Sequence, residues 1–305
     1  VLAPVRAAGA SEPAVAGITF NAAPTSGTQT FVGIMSSRTN AAGPPVVVGS
    51  DSATDAGGTS IAVDWGATGP TGLRFSLGNS ALGISNVALP LTTAAGCVNL
   101  CVRQVILPDG RKLNVDIENG DTPNPVNSTT TGSTNSLNWI EYGFWNIASA
   151  TNVQQNNAWT VSGYETPNAG LPTTGTATFN GFVQGSVVVP NGTAVSSGFL
   201  SGNAQLQANF ASGGISGTAT GITATQGTAS QVWNNLTFAG TFTRGVNGFT
   251  GTTAVSNAPG LPLSLSSTAA GYITGRFYGP AAQEVGAIWN VSDGSGAASG
   301  YLVGK

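Results

Sequence analysis

The sequence predicts an all-β protein, and three observations carry that expectation. No long segment repeats apolar residues at the i, i+3, i+4, i+7 spacing of an amphipathic helix. Short runs rich in Val, Ile, Thr and aromatic residues recur along the chain, separated by Gly, Asn, Asp and Pro. Glycine fills 44 of 305 positions, so nearly every stretch of helical length is interrupted. The texture divides the chain into an irregular β-rich region, residues 1–165, and a more regular region, residues 166–305. The second part predicts an antiparallel, water-soluble β-barrel of about eight strands.

In the first part, Ala62, Asp64 and Gly66 alternate with Val63 and Trp65, the pattern of a short strand. Cys97 and Cys101 stand in AAGCVNLCVRQV, where the surrounding alternation is strand-like. A tight loop closed by a disulfide in an oxidising compartment fits better than a metal site, because the chain has no histidine and no second cysteine pair. VILPDGRKLNVDIENGD then reads as a hairpin turning at Pro108-Asp109-Gly110. A polar loop over 124–136 precedes LNWIEYGFWNI, which packs Trp139, Tyr142, Phe144 and Trp145 into seven positions. These aromatics read as core or as a barrel seal, with a ligand-stacking platform as the functional alternative.

From about residue 171 the alternation is regular. Leu206, Ala208 and Phe210 share a face opposite Gln205, Gln207 and Asn209, while Leu236, Phe238 and Phe242 lie opposite Thr237, Thr241 and Thr243. Turn signals at Asn191-Gly192, Gly213-Gly214, Val246-Asn247-Gly248 and Asp293-Gly294 separate about eight such runs. A meander of this kind removes its edges by closing. Phe238, Phe242 and Phe277 suit the filled interior, and the Thr/Gln/Asn face suits water rather than lipid.

The chemistry available is limited. Nine Lys+Arg against twelve Asp+Glu, with no basic cluster, argues against nucleic acid. Without histidine there is no Ser-His-Asp triad and no common metal ligand. Asp51 with Asp55, and Asp116 with Glu118 and Asp121, are acidic groups that match no calcium-loop spacing and read as solvated loops. Glu141 and Glu165 flank the aromatic cluster as a conceivable glycosidase pair. No catalytic residue, metal site or cofactor is assigned. No 18-residue apolar run is present, so no transmembrane segment is expected. Scarce Lys, Glu and Arg beside abundant Ser, Thr, Asn, Gly and Ala suggest an exported bacterial protein whose signal peptide has been removed.

Three segments carry a family resemblance. Leu171-Pro172-Thr173-Thr174-Gly175-Thr176-Ala177-Thr178-Phe179 resembles the opening strand of transferrin-binding-protein-like β-barrel domains. The segment from Gly271 to Trp289, with Gly279, Pro280, Glu284, Val285 and Gly286, is similar to that family's Gly-Pro-x-x-x-Glu-Val-Gly hallmark. The ending Gly300-Tyr301-Leu302-Val303-Gly304-Lys305 is similar to its closing strand. The resemblance implies a handle-like β domain followed by an eight-stranded barrel, in a bacterial surface lipoprotein or secreted relative that binds a partner rather than catalysing. Gly279-Pro280 is expected to end a strand, with Glu284 either a solvated acid or a ligand for backbone amides that pins the barrel end.

The function expected is that of a non-catalytic exported envelope protein, at the cell surface, on the outer membrane or extracellular, binding a protein partner through barrel loops. Trp159, Tyr164 and Arg244 are the expected contact residues, as exposed groups at loop tips. The alternatives are a structural subunit that packs against copies of itself, and a secreted haem- or polysaccharide-binding protein. Haem is disfavoured because only Met35 and five tyrosines remain as axial ligands.

Overall fold

A computed structural model describes residues 27–39, 46–51, 59–66, 69–77, 82–90, 103–119, 137, 139–151, 154–191, 194–294 and 296–305. The first nine strands are β1 (Gly27–Thr39), β2 (Val46–Asp51), β3 (Thr59–Gly66), β4 (Gly69–Leu77), β5 (Val87–Ala88), β6 (Arg103–Ile106), β7 (Lys112–Asn119), β8 (Ile140–Ala148) and β9 (Gln154–Gly163). They form one antiparallel network in the order β5-β4-β3-β1-β9-β8-β7-β6, with β2 also paired to β1. β1 is its corner. Gly27–Gly33 pair with β3, whereas Ile34–Thr39 pair with β9. A strand that changes partners midway lets two sheets fold face to face. The rings of Phe75 on β4 and Trp145 on β8 accordingly lie 6.3 Å apart, although three strands separate β4 from β8 along the network.

Between these sheets lies a core that includes Leu73, Phe75, Leu113, Val115, Trp145 and Ile147. Two arginines tie the β6–β7 side to the segment around β5. Arg103 Nε donates to the Pro90 carbonyl at 3.1 Å, and Arg111 Nη2 to the Leu82 carbonyl at 2.9 Å. The hairpin turns at Pro108-Asp109-Gly110 as expected. There Arg111 donates from its backbone and its Nε to Asp109, which holds that exposed carboxyl below its ordinary pKa.

The remaining strands are β10 (Thr176–Asn191), β11 (Ala194–Asn209), β12 (Gly214–Gln226), β13 (Ala229–Val232), β14 (Leu236–Phe242), β15 (Phe249–Val255), β16 (Ala270–Tyr278), β17 (Glu284–Ser292) and β18 (Ala297–Gly304). Eight of them close an antiparallel barrel: β10 pairs with β18 and β11, β11 with β12, and β12 onward through β14 to β18. The short β13 pairs with the end of β12 outside this ring.

The interior is side-chain filled, as barrels of this size are. Phe238, Phe242 and Phe277 all belong to its core, as their sequence alternation predicts. Gly300 makes room for the Trp289 indole, since a Cβ there would sit 2.7 Å from its Cζ2. One mouth is plugged by the β15–β16 connection, which inserts Leu263 and Leu265 into the core. Trp233 Nε1 donates to the Leu263 carbonyl at 2.8 Å, and the buried Asn234 side chain bonds both backbone groups of Leu265. Thr218, Thr237, Thr241, Thr250 and Thr252 face outward and are exposed. Apolar inside and hydroxyl outside is the reverse of a lipid-facing barrel.

β17 and β18 depart from alternation, because both of their faces are buried. Val285, Ala287, Trp289 and Leu302 point into the barrel, while Ile288, Tyr301 and Val303 form a second cluster with Tyr142, Trp159 and Val161. The outer wall thus docks on the β8–β9 sheet. That explains the aromatic density of LNWIEYGFWNI. Period 2 sends Trp145 and Ile147 to the N-terminal core, and Tyr142 and Phe144 to the barrel. The aromatics are core on two sides rather than a ligand platform. Asp116 is likewise no solvated loop acid: it lies within β7 and is 1% exposed.

Candidate functional site

Gly279, Pro280, Glu284, Val285 and Gly286 make a seat for the N-terminal sheets. β16 ends at Tyr278, and Gly279 turns the chain at a φ of +83°. Its Cα lies so near the Trp139 indole that a Cβ would sit 2.8 Å from Trp139 Cδ1. Pro280 is buried within the turn. Glu284 opens β17, 1% exposed, and accepts the Trp139 backbone N–H at 2.9 Å. The solvated-acid alternative for Glu284 is therefore corrected: it binds a backbone amide across the junction. Val285 points into the barrel core, while Gly286 faces Val161, whose Cγ1 would be 2.4 Å from an added Cβ.

Beside this seat, residues 164–166 form a rung along the end of β16. Thr166 N donates to the Phe277 carbonyl, Gly279 N to the Tyr164 carbonyl, and Thr166 Oγ1 to the Gly279 carbonyl at 2.6 Å. Asn247, which the sequence marks only as a turn residue, is the hub. Its Nδ2 donates to the Thr166 and Phe277 carbonyls, its Oδ1 accepts Phe277 N, and its backbone N donates to Asn168 Oδ1. Asn247→Ala is expected to lower the unfolding free energy by about 1–2 kcal/mol, because the Thr166 carbonyl and the Phe277 N–H lose the Asn247 side chain while the Phe277 carbonyl keeps only Thr166 N. Chemical denaturation of the two chains measures it, and a loss within error would exclude the hub role.

The charges at the junction are partly buried. Arg276 Nε stands 3.2 Å from Glu165 Oε1. Burial raises the Glu165 pKa against the opposing pull of Arg276. Burial also raises Tyr278 well above the phenol range, with the Glu165 charge adding to it. Glu165 is thus engaged in an ion pair, while the Glu141 side chain lies outside the described residues.

Asp116 responds to pH differently from an exposed acid. Burial pushes its pKa up from 3.8 to about 6, partly offset by the Arg103 charge. The folded chain therefore holds this proton more tightly than the unfolded chain does. Its contribution to stability is fully present below the unfolded value and is lost as pH rises through the folded one. Urea midpoints are expected to be higher near pH 4.5 than near pH 7 in wild type relative to Asp116→Asn, which lacks the titration. Equal pH slopes would disprove the assignment.

The expected contact residues fall in three different environments. Trp159 is not at a loop tip: it lies within β9, is 8% exposed, and its ring packs against Phe144, Phe199 and Tyr301. Strand pairing with Phe144 puts it on the barrel-facing side, which its sequence position did not reveal. Tyr164 follows β9, is partly buried, and meets Trp139 edge-on at 6.1 Å. Arg244 is exposed in the β14–β15 turn, where its Nη2 reaches the Thr173 carbonyl at 3.2 Å, and Val246 beside it is 46% exposed. Cys97, Cys101, Asp55 and Asp121 lie outside the described residues. Among the described residues no His/Cys/Asp/Glu group is arranged to hold a metal, and no helix is long and apolar enough to cross a membrane.

A closed barrel filled by its own side chains, with its outer wall clamped to an aromatic sheet, defines a scaffold class whose interior is core rather than cavity. Residues 171–304 match the family model described as the C-lobe and N-lobe beta barrels of Tf-binding protein B. The C-terminal barrel is thus similar to the barrels of that protein. The match covers somewhat under half of the chain. Several solved structures are similar. Transferrin binding protein B from Haemophilus parasuis is 14% identical over 91% of this chain and 75% of its own, with a TM-score of 0.46. The protein of that name from serogroup B Neisseria meningitidis is 17% identical over 89% of this chain, with a TM-score of 0.44. This chain spans 43% of that one's length. HpuA from Kingella denitrificans, solved in complex with human haemoglobin, is 14% identical over 93% of this chain and 89% of its own, with a TM-score of 0.38. No curated protein matches.

Proposed function

We propose that this chain is a non-catalytic exported envelope protein that holds a macromolecular partner, a protein, through the loops of its barrel. One observation carries the reading: the interior is filled and one mouth is plugged by Leu263 and Leu265, so binding is left to the outside of a rigid scaffold. The β14–β15 turn offers Arg244 together with the exposed Val246, a cation beside an apolar side chain. Such pairings suit protein contacts, where arginine is favoured. The similar structures include binders of transferrin and haemoglobin, which makes those two proteins the first to try.

The test is biolayer interferometry of the immobilised chain against human transferrin and haemoglobin. Saturable binding of one of them, weakened about tenfold or more by Arg244→Glu with Val246→Asp, supports the reading. Absence of binding to either, together with concentration-dependent growth into large assemblies by size-exclusion chromatography, would favour the structural-subunit reading instead. Export also implies that Cys97 and Cys101 are joined, as thiols in oxidising compartments are. Intact mass after alkylation, with and without reduction, checks the bond directly.

A further inference from the structure

We propose that the outer wall of the barrel carries a binding site for a neutral saccharide, in the hollow between β10, β11 and β12. The inference does not depend on the loop-mediated protein binding above. The hollow has a volume of about 310 Å³, at the lower end of the range for small-ligand sites. Asn180, Asn203, Gln205, Thr218 and Thr220 surround it, and the small residues Gly181 and Ala204 lie among them.

Its position coincides with the irregularity in the β11–β12 ladder. Ser201 pairs with Thr223 and Asn203 with Thr220, so Gly221 and Ile222 together face Gly202. Gly221 takes a φ of +62° to allow this. A bulge of this kind bends the strand and re-aims the neighbouring side chains. Here it lies directly next to the Asn203–Thr220 pair, at the rim of the hollow.

The chemistry of the rim selects the ligand class. Gln205 Nε2 donates to Asn180 Oδ1 at 2.9 Å, which fixes both amides and leaves the Gln205 oxygen and the Asn180 nitrogen available. Asn203, Thr218 and Thr220 are exposed, and their side chains have no hydrogen-bond partner among the described residues. Amides and hydroxyls both donate and accept hydrogen bonds, as sugar hydroxyls do. β11 and β12 contain no charged residue, so an anionic or cationic ligand finds no counter-charge on these two strands. The lining is mostly amide and hydroxyl, so a lipid or a hydrophobic peptide side chain finds little apolar surface in this hollow.

Titration of the ¹⁵N-labelled full chain with maltose, cellobiose, lactose and N,N′-diacetylchitobiose, followed by two-dimensional NMR, tests the site. At least one disaccharide is expected to shift the side-chain amide signals of Asn180, Asn203 and Gln205 saturably, with a millimolar dissociation constant. Asn203→Ala with Thr220→Val is expected to weaken that affinity about tenfold or more, while the spectrum away from the hollow is unchanged. Both side chains are exposed, so the fold survives their removal. No saturable shift with any of the four sugars up to about 50 mM, shifts confined to other surfaces, or undiminished affinity in the double variant would each overturn the assignment.

Discussion

Phe277→Ala is expected to lower the unfolding free energy by about 3–5 kcal/mol, the range for removing a large aromatic from a packed core. Phe277 is fully buried, and its ring centroid lies 5.3–5.9 Å from those of Phe179, Phe210, Phe242 and Phe249. These residues come from β10, β14, β15 and the turn after β11, so one ring links side chains from around the barrel wall. Such a site collapses poorly after truncation, which places the loss high in the range. Aromatic pairs at these separations also contribute beyond their buried area. Phe277→Leu retains most of the volume and is expected to cost clearly less. Urea denaturation with a common m-value measures both. A loss below about 1 kcal/mol for the alanine variant would mean that the interior is not a packed core, and the argument for outside-only recognition would fail with it.

The strands exposed to water on one side are legible in the sequence. β11 and β14 alternate large apolar residues with Gln, Asn and Thr, and their structure follows that alternation. β17 and β18 resist the same reading, because solvent touches neither face and no polar residue need mark the outside. Trp159 is hard to place from sequence for a related reason. A tryptophan among Asn, Gln and Thr looks exposed until the pairing partners are known, and those partners come from far away in the chain. Asn247 shows the opposite loss. Its turn is visible, but its bonds to Thr166 and Asn168 span about eighty residues, which local pattern cannot encode. The hollow on the outer wall depends on a bulge that only the register reveals.

The family hallmark was legible as a motif but not as a mechanism, and Glu284 shows what the motif does. Glu284→Ala is expected to cost about 1–3 kcal/mol, because the Trp139 N–H keeps its burial and loses its carboxyl acceptor. Glu284→Gln retains an acceptor oxygen of nearly the same reach and is expected to recover part of that loss. Gly286→Val acts on the same seat by a different route, forcing a side chain against Val161 of the N-terminal sheet. If both residues hold one docking contact, the double variant loses less than the two single losses added together, since the second change removes an interaction already broken. Strict additivity would separate them. In that case Glu284 would serve only its own end of β17, and the hallmark would not be the seat on which the first nine strands rest.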